Sequence, residues 1–128
     1  MRRQAAKKVR GKMTVALLDP ELIASIRMIE KASGRSDVFS GLVGKLETSI
    51  AGFPKGFGDC LSRGDPAGAA RAAHTLKGSC HQLGAQALGE LFAEIERDAK
   101  AGDYDGAQRK FHDAGPLIAR SLEALRRA

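Results

Sequence analysis

Tryptophan is absent from this chain of 128 residues and tyrosine occurs once, while alanine, leucine and glycine supply most of the small and apolar mass. So few aromatics disfavour a sheet, whose faces draw on aromatic and β-branched side chains, and favour closely packed helices. There is no uninterrupted apolar run of about 18 residues, the length needed to cross a bilayer. Nor does an apolar stretch follow the N-terminal charges as a secretory signal requires. A cytoplasmic protein without membrane insertion is expected. Cysteine is also scarce: Cys60 and Cys80 lack CxxC spacing. Without an export signal, such thiols are expected to be reduced and partly buried, not bridged.

Acidic residues are missing from the first twelve positions, MRRQAAKKVRGK, which carry Arg2, Arg3, Lys7, Lys8, Arg10 and Lys12. These six account for the whole net charge of +6, because the remainder holds fifteen basic and fifteen acidic residues. The excess is therefore a basic tail or linker, residues 1–15, on a neutral domain, residues 16–128. Nucleic-acid binding is not expected of the domain.

The length suits one domain. Asp19-Pro20-Glu21 reads as a helix start, followed by Leu22, Ile23, Ile26 and Ile29 before Ser33-Gly34. A second helix opens at Ser36-Asp37 and keeps three- and four-residue apolar spacing from Val38 to Leu61. AGFPKGFG, residues 51 to 58, predicts a kink or break near Gly52 to Pro54. Asp65-Pro66 starts a third helix, from about Pro66 to Leu83 with Gly84 as its stop. A fourth, from about Gln86 to Ala101, carries Leu88, Leu91, Phe92, Ile95 and Ala99. Asp103 caps a fifth that stays in phase to Leu125, with Gly115-Pro116 as a kink. No segment alternates with period two. The fold class is all-α: an antiparallel four-helix bundle with a short additional N-terminal helix.

The third helix carries the chemistry. Ala69, Ala72 or Ala73, Leu76, Cys80 and Leu83 form its core stripe, and Arg71, His74, Lys77, Gly78 and His81 share another face, turned outward. A neutral imidazole at His74 is a nucleophile near pH 7 and can take up and release a phosphoryl group. Lys77, one turn on, offers positive charge to phosphoryl oxygens. Gly78 costs about 1 kcal/mol in a helix interior relative to alanine, and gives another protein's phosphorylated side chain room to approach. Glu96, on the fourth helix at the boundary of core and solvent, has two readings. It can accept from His74 Nδ1 and leave Nε2 to attack, or it can be a surface partner of Lys100 at i+4. His81 is either a docking residue or a partly exposed surface histidine, and His112 has no assigned role.

AHTLKGSCHQLGA resembles the signature of the histidine-containing phosphotransfer (HPt) domains of two-component phosphorelays, A-H-x-L-K-G-[SA], then a polar residue, then L-G-A. The matching residues are Ala73, His74, Leu76, Lys77, Gly78, Ser79, Leu83, Gly84 and Ala85. Glu96 falls where the family often has Gln or Glu orienting the imidazole. The resemblance implies a phosphoryl carrier relaying between aspartates of response-regulator receiver domains through a phosphohistidine on His74. It implies partners that are receiver domains and a hybrid sensor histidine kinase, a monomeric state, no cofactor of its own, and Mg²⁺ only in the partner receiver. Two departures are the pronounced break at Gly52 to Pro54 and His81, at a position variable in the family.

Other functional classes would make different demands on these residues. A metal-binding bundle would need His74, Cys80 and His81 to converge, but Cys80 falls on the core stripe while His74 and His81 face outward about two turns apart. A receiver-binding interaction module without phosphate transfer would not need the histidine. An ATP-dependent kinase would need a nucleotide-binding glycine loop next to a strand, and no strand is expected.

Overall fold

Among the described residues six helices run in order: α1 (Pro20–Ala32), α2 (Val38–Ser62), α3 (Pro66–Gln82), α4 (Gln86–Lys100), α5 (Tyr104–Asp113) and α6 (Gly115–Arg127). This computed structural model describes residues 16–128; the basic tail expected at 1–15 lies outside the described residues. Three aspartates cap helix starts as their positions predict. Asp19 accepts from Leu22 N–H at 3.2 Å, Asp65 from Gly68 N–H at 2.9 Å and Asp103 from Gly106 N–H at 2.9 Å. Each satisfies a backbone donor left over in the first helical turn.

The start of α2 is made differently. Asp37 makes no side-chain cap bond, and Glu30, reaching over from α1, accepts from Phe39 N–H at 2.8 Å. That backbone bond, helped by Arg27 at 2.8 Å, holds the Glu30 carboxyl below its ordinary value despite its burial. The short first helix is thereby tied to the bundle by a polar contact as well as by Ile23 in the core.

The bundle consists of α2, α3, α4 and the α5–α6 pair, with short turns making neighbours antiparallel. Phe39, Val43, Leu46, Ile50, Phe53 and Phe57 line the buried side of α2, and Leu88, Phe92 and Ile95 that of α4. Between them α3 presents Ala69, Ala70 and Ala73, all buried. Small side chains let helix axes approach closely, and α3 packs most extensively against α4 and next against α2. Both cysteines are buried and unbridged, as expected, and burial pushes the Cys80 thiol up to about 12.

The two prolines inside long apolar registers exchange their expected effects. α2 is one helix through Pro54, so no break occurs at Gly52 to Pro54. Pro54 is exposed, while Phe53 beside it lies 5.3 Å, centroid to centroid, from each of Phe57, Phe92 and Phe111. These rings hold both halves of α2 in one register, offsetting the missing hydrogen bond. At Gly115-Pro116 the chain ends one helix and begins another instead of kinking. Ala114 closes α5, and Pro116 sits in the first turn of α6, where a missing N–H costs nothing.

The end of α3 fixes where α4 begins. Gly84 has φ +84°, and two bonds close the helix: Ala85 N–H to Cys80 C=O at 2.8 Å and Gly84 N–H to His81 C=O at 3.1 Å. This is the paired arrangement of a glycine-terminated helix. The Gly84 carbonyl in turn accepts from Asp19 N–H at 2.9 Å, bringing the start of α1 onto this corner. A Cβ on Gly84 would stand 2.8 Å from Ile23 Cγ1, whereas one on Gly102, at φ +82°, would meet nothing within 4 Å. Both Gly→Ala substitutions should therefore lose about 1 kcal/mol for the left-handed backbone, and Gly84→Ala should lose distinctly more. Urea unfolding of the two variants checks this; equal losses would refute the contact with Ile23.

Candidate functional site

The outer face of α3 places His74 in the open, its side chain 63% exposed, over the seam with α4. Ala73 beside it is fully buried, so the helix is anchored immediately behind the imidazole. Across the seam Glu96 is buried, with its side chain only 6% exposed. Glu96 Oε2 lies 3.0 Å from His74 Nδ1 and 2.9 Å from Lys100 Nζ, and Oε1 lies 2.9 Å from Lys77 Nζ. Glu96 therefore meets the imidazole and also pairs with Lys100, but as a buried carboxylate and not as the surface acid of the second reading.

Burial on its own pushes the Glu96 carboxyl up. Hydrogen bonds from Lys77, Lys100 and His74, together with the charge of Lys77, outweigh it and hold the group down at about 2. The group is then an acceptor only, so the hydrogen between it and the ring belongs to Nδ1. In the neutral ring the lone pair is consequently on Nε2, the nitrogen not engaged by Glu96.

The other expected residues divide. Arg71 is exposed one turn before His74. Gly78 is backed by open space, since a Cβ there would meet nothing within 4 Å. His81 is drawn away: its ring lies against Gly89 of α4, where a Cβ would come within 2.5 Å of it, and its Nε2 is 3.8 Å from Glu90. It packs the α3–α4 seam two turns from His74. Cys80 is fully buried in the core while His74 faces outward, so the three residues of the metal-site rival do not converge. Sequence reasoning underused Lys100. Its i+4 spacing from Glu96 was visible, but a pairing alternative to His74 proves to be simultaneous with it.

The lowered Glu96 carboxyl makes the fold sensitive to acid. A carboxyl moved from 4.5 down to about 2 on folding contributes stability that is complete above 4.5 and is lost as pH falls toward 2. Wild type should therefore lose more stability than Glu96→Gln between these limits, with other carboxyls contributing equally to both. Urea midpoints against pH test it, and parallel curves would contradict the burial and pairing described.

Comparison with known proteins identifies a family. The family model of the Hpt domain matches residues 40–128, which include α3, α4 and all four residues of the carboxylate cluster. The chain is 34% identical over 113 residues to the sensor histidine kinase AruS of Pseudomonas aeruginosa (strain PAO1), covering 88% of this chain. It spans 11% of the length of that relative. No solved structure matches the chain. With an exposed histidine on a bundle helix and a family match over most of its length, the chain belongs to the Hpt domains, the phosphotransfer modules of two-component signalling.

Proposed function

We propose that the protein carries a phosphoryl group on His74 Nε2, taking it from the aspartyl phosphate of one receiver domain and giving it to the aspartate of another. The observation that carries this reading is the exposed imidazole whose inner nitrogen is fixed on a buried, ionised carboxylate. The Nε2 lone pair forms the N–P bond as the P–O bond to the donor aspartate breaks, and the electron pair leaves with that carboxylate. No proton needs to move. The ring keeps its Nδ1 hydrogen and gains a positive charge, which faces Glu96.

Lys77 supplies positive charge beside the transferring oxygens. Arg71 adds a cation one turn away and Gly78 leaves clearance for the partner. His81, with its side chain 41% exposed, contributes to the far rim of the docking surface. The protein needs no cofactor of its own in this scheme; Mg²⁺ belongs to the receiver. A carrier of this kind has no ATP-dependent step, and works in the cytoplasm where receivers and the kinase domains of hybrid sensors meet.

His74→Gln should fold normally and accept no acid-labile phosphoryl label from a phosphorylated receiver; label on that variant would sink the assignment. The clearance at Gly78 has a separate test using two donors of different size. Gly78→Leu should slow transfer from a receiver by about tenfold or more, because misplacing a docked donor by an ångström is that costly. It should leave labelling by the small donor phosphoramidate nearly unchanged. Equal slowing with both donors would mean that Gly78 serves the imidazole itself and not the partner.

A further inference from the structure

Glu96 is paired twice over. Lys77 holds Oε1 and Lys100 holds Oε2, each at 2.9 Å, and His74 Nδ1 shares Oε2 with Lys100. One ammonium would neutralise one carboxylate, so in the resting site the second is surplus. The two lysines differ in position. Lys77 is on α3, three residues after His74 and on its face of the helix. Lys100 is on α4, four residues after Glu96, on the oxygen that receives the imidazole hydrogen.

A phosphoryl group arriving on Nε2 brings nearly two negative charges, and Lys77 is the cation on its own helix face. A lysine ammonium on a flexible stem can change partners readily. If Lys77 were the only partner of Glu96, its departure would leave a buried carboxylate without a cation just as the ring becomes charged, and such a loss is expensive. Lys100 removes that conflict.

We propose that Lys100 is a positioning residue that keeps Glu96 on His74 Nδ1 while Lys77 passes from Glu96 to the incoming phosphoryl group. The inference rests on the His74 carrier reading above and assigns its two lysines successive tasks. Resting and phosphorylated states then differ by one exchanged ion pair, with the Glu96–His74 bond constant through both.

The test uses potassium phosphoramidate, whose P–N bond breaks as Nε2 attacks and whose nitrogen leaves as ammonia. Wild type, Lys77→Met, Lys100→Met, Lys100→Arg and the double Met variant are compared. Three quantities are measured: the rate of labelling, the lifetime of the phosphohistidine and the imidazole ¹⁵N spectrum of His74. Lys77→Met should label about tenfold more slowly, the size of one lost charge-assisted hydrogen bond, with the resting Nδ1–H tautomer unchanged.

Lys100→Met should also keep the resting tautomer, because Lys77 still holds Glu96. Its phosphohistidine should be shorter-lived, and the hydrogen-bonded Nδ1–H signal should weaken only in the phosphorylated protein. Lys100→Arg should restore both. The double variant should be slower than the product of the single effects, since neither lysine remains to back up the other. Lys100→Met matching wild type in lifetime and spectrum, or a double variant equal to Lys77→Met, would overturn the inference while leaving the carrier reading intact. No label on wild type would overturn both.

Discussion

A carboxylate at the edge of an apolar core is stable only when its charge is met, and the arrangement of α3 and α4 is organised around meeting the charge of Glu96. Three donors reach its two oxygens within 3.0 Å. Two of them come from α3 and one from its own helix, so the carboxylate cross-links the pair of helices that pack most extensively. The same bonds that stabilise the seam orient the imidazole. The packing of the seam and the orientation of the imidazole are therefore coupled at one group.

That coupling depends on how near and in what register the two helices lie. Ala69 and Ala73 on the inner side of α3 are fully buried and allow the approach. The register comes from the corner at Gly84. Its left-handed backbone closes α3, and α4 restarts at Gln86. A turn of another length would rotate α4 about its axis and carry Glu96 away from His74. At the far side of the seam the ring of His81 fills the space left by Gly89, so a residue on the reactive face also contributes to the spacing.

Much of this was legible in the sequence because it is local. Asp-Pro starts, glycine stops and the apolar stripe of each helix depend on a few neighbouring residues, and their positions agree closely with α1 to α4 and with the start of α5. The spacing of His74, Lys77 and Gly78 on one face follows from helical period alone. Pro54 misled because its effect is decided by tertiary contacts, with four phenylalanine rings packed together around that part of α2. Pro116 misled because an unbroken apolar phase does not show whether a proline lies inside one helix or in the first turn of the next. Asp37 could not reveal that its capping task falls to Glu30, since that contact crosses between helices. Glu96 was ambiguous for a similar reason: sequence shows its neighbour at i+4 but not the depth at which the carboxylate sits, and burial is what recruits all three partners.

The choice of a carboxylate at this position has a physical logic of its own. An amide could bond Nδ1 as well and would bury no charge, but it offers both a donor and an acceptor end and can turn either one to the ring. An ionised carboxylate can only accept. It therefore fixes the hydrogen on Nδ1 and the lone pair on Nε2 in the neutral ring. In the transfer proposed above, the same charge would also balance the positive charge gained by the ring, which an amide dipole does less strongly. The cost is desolvation of a full negative charge at the edge of the core, and the two lysines offset it. Glu96, Lys77 and Lys100 thus form one charge cluster, and Glu96→Gln would leave both ammonium groups without the carboxylate they pair with.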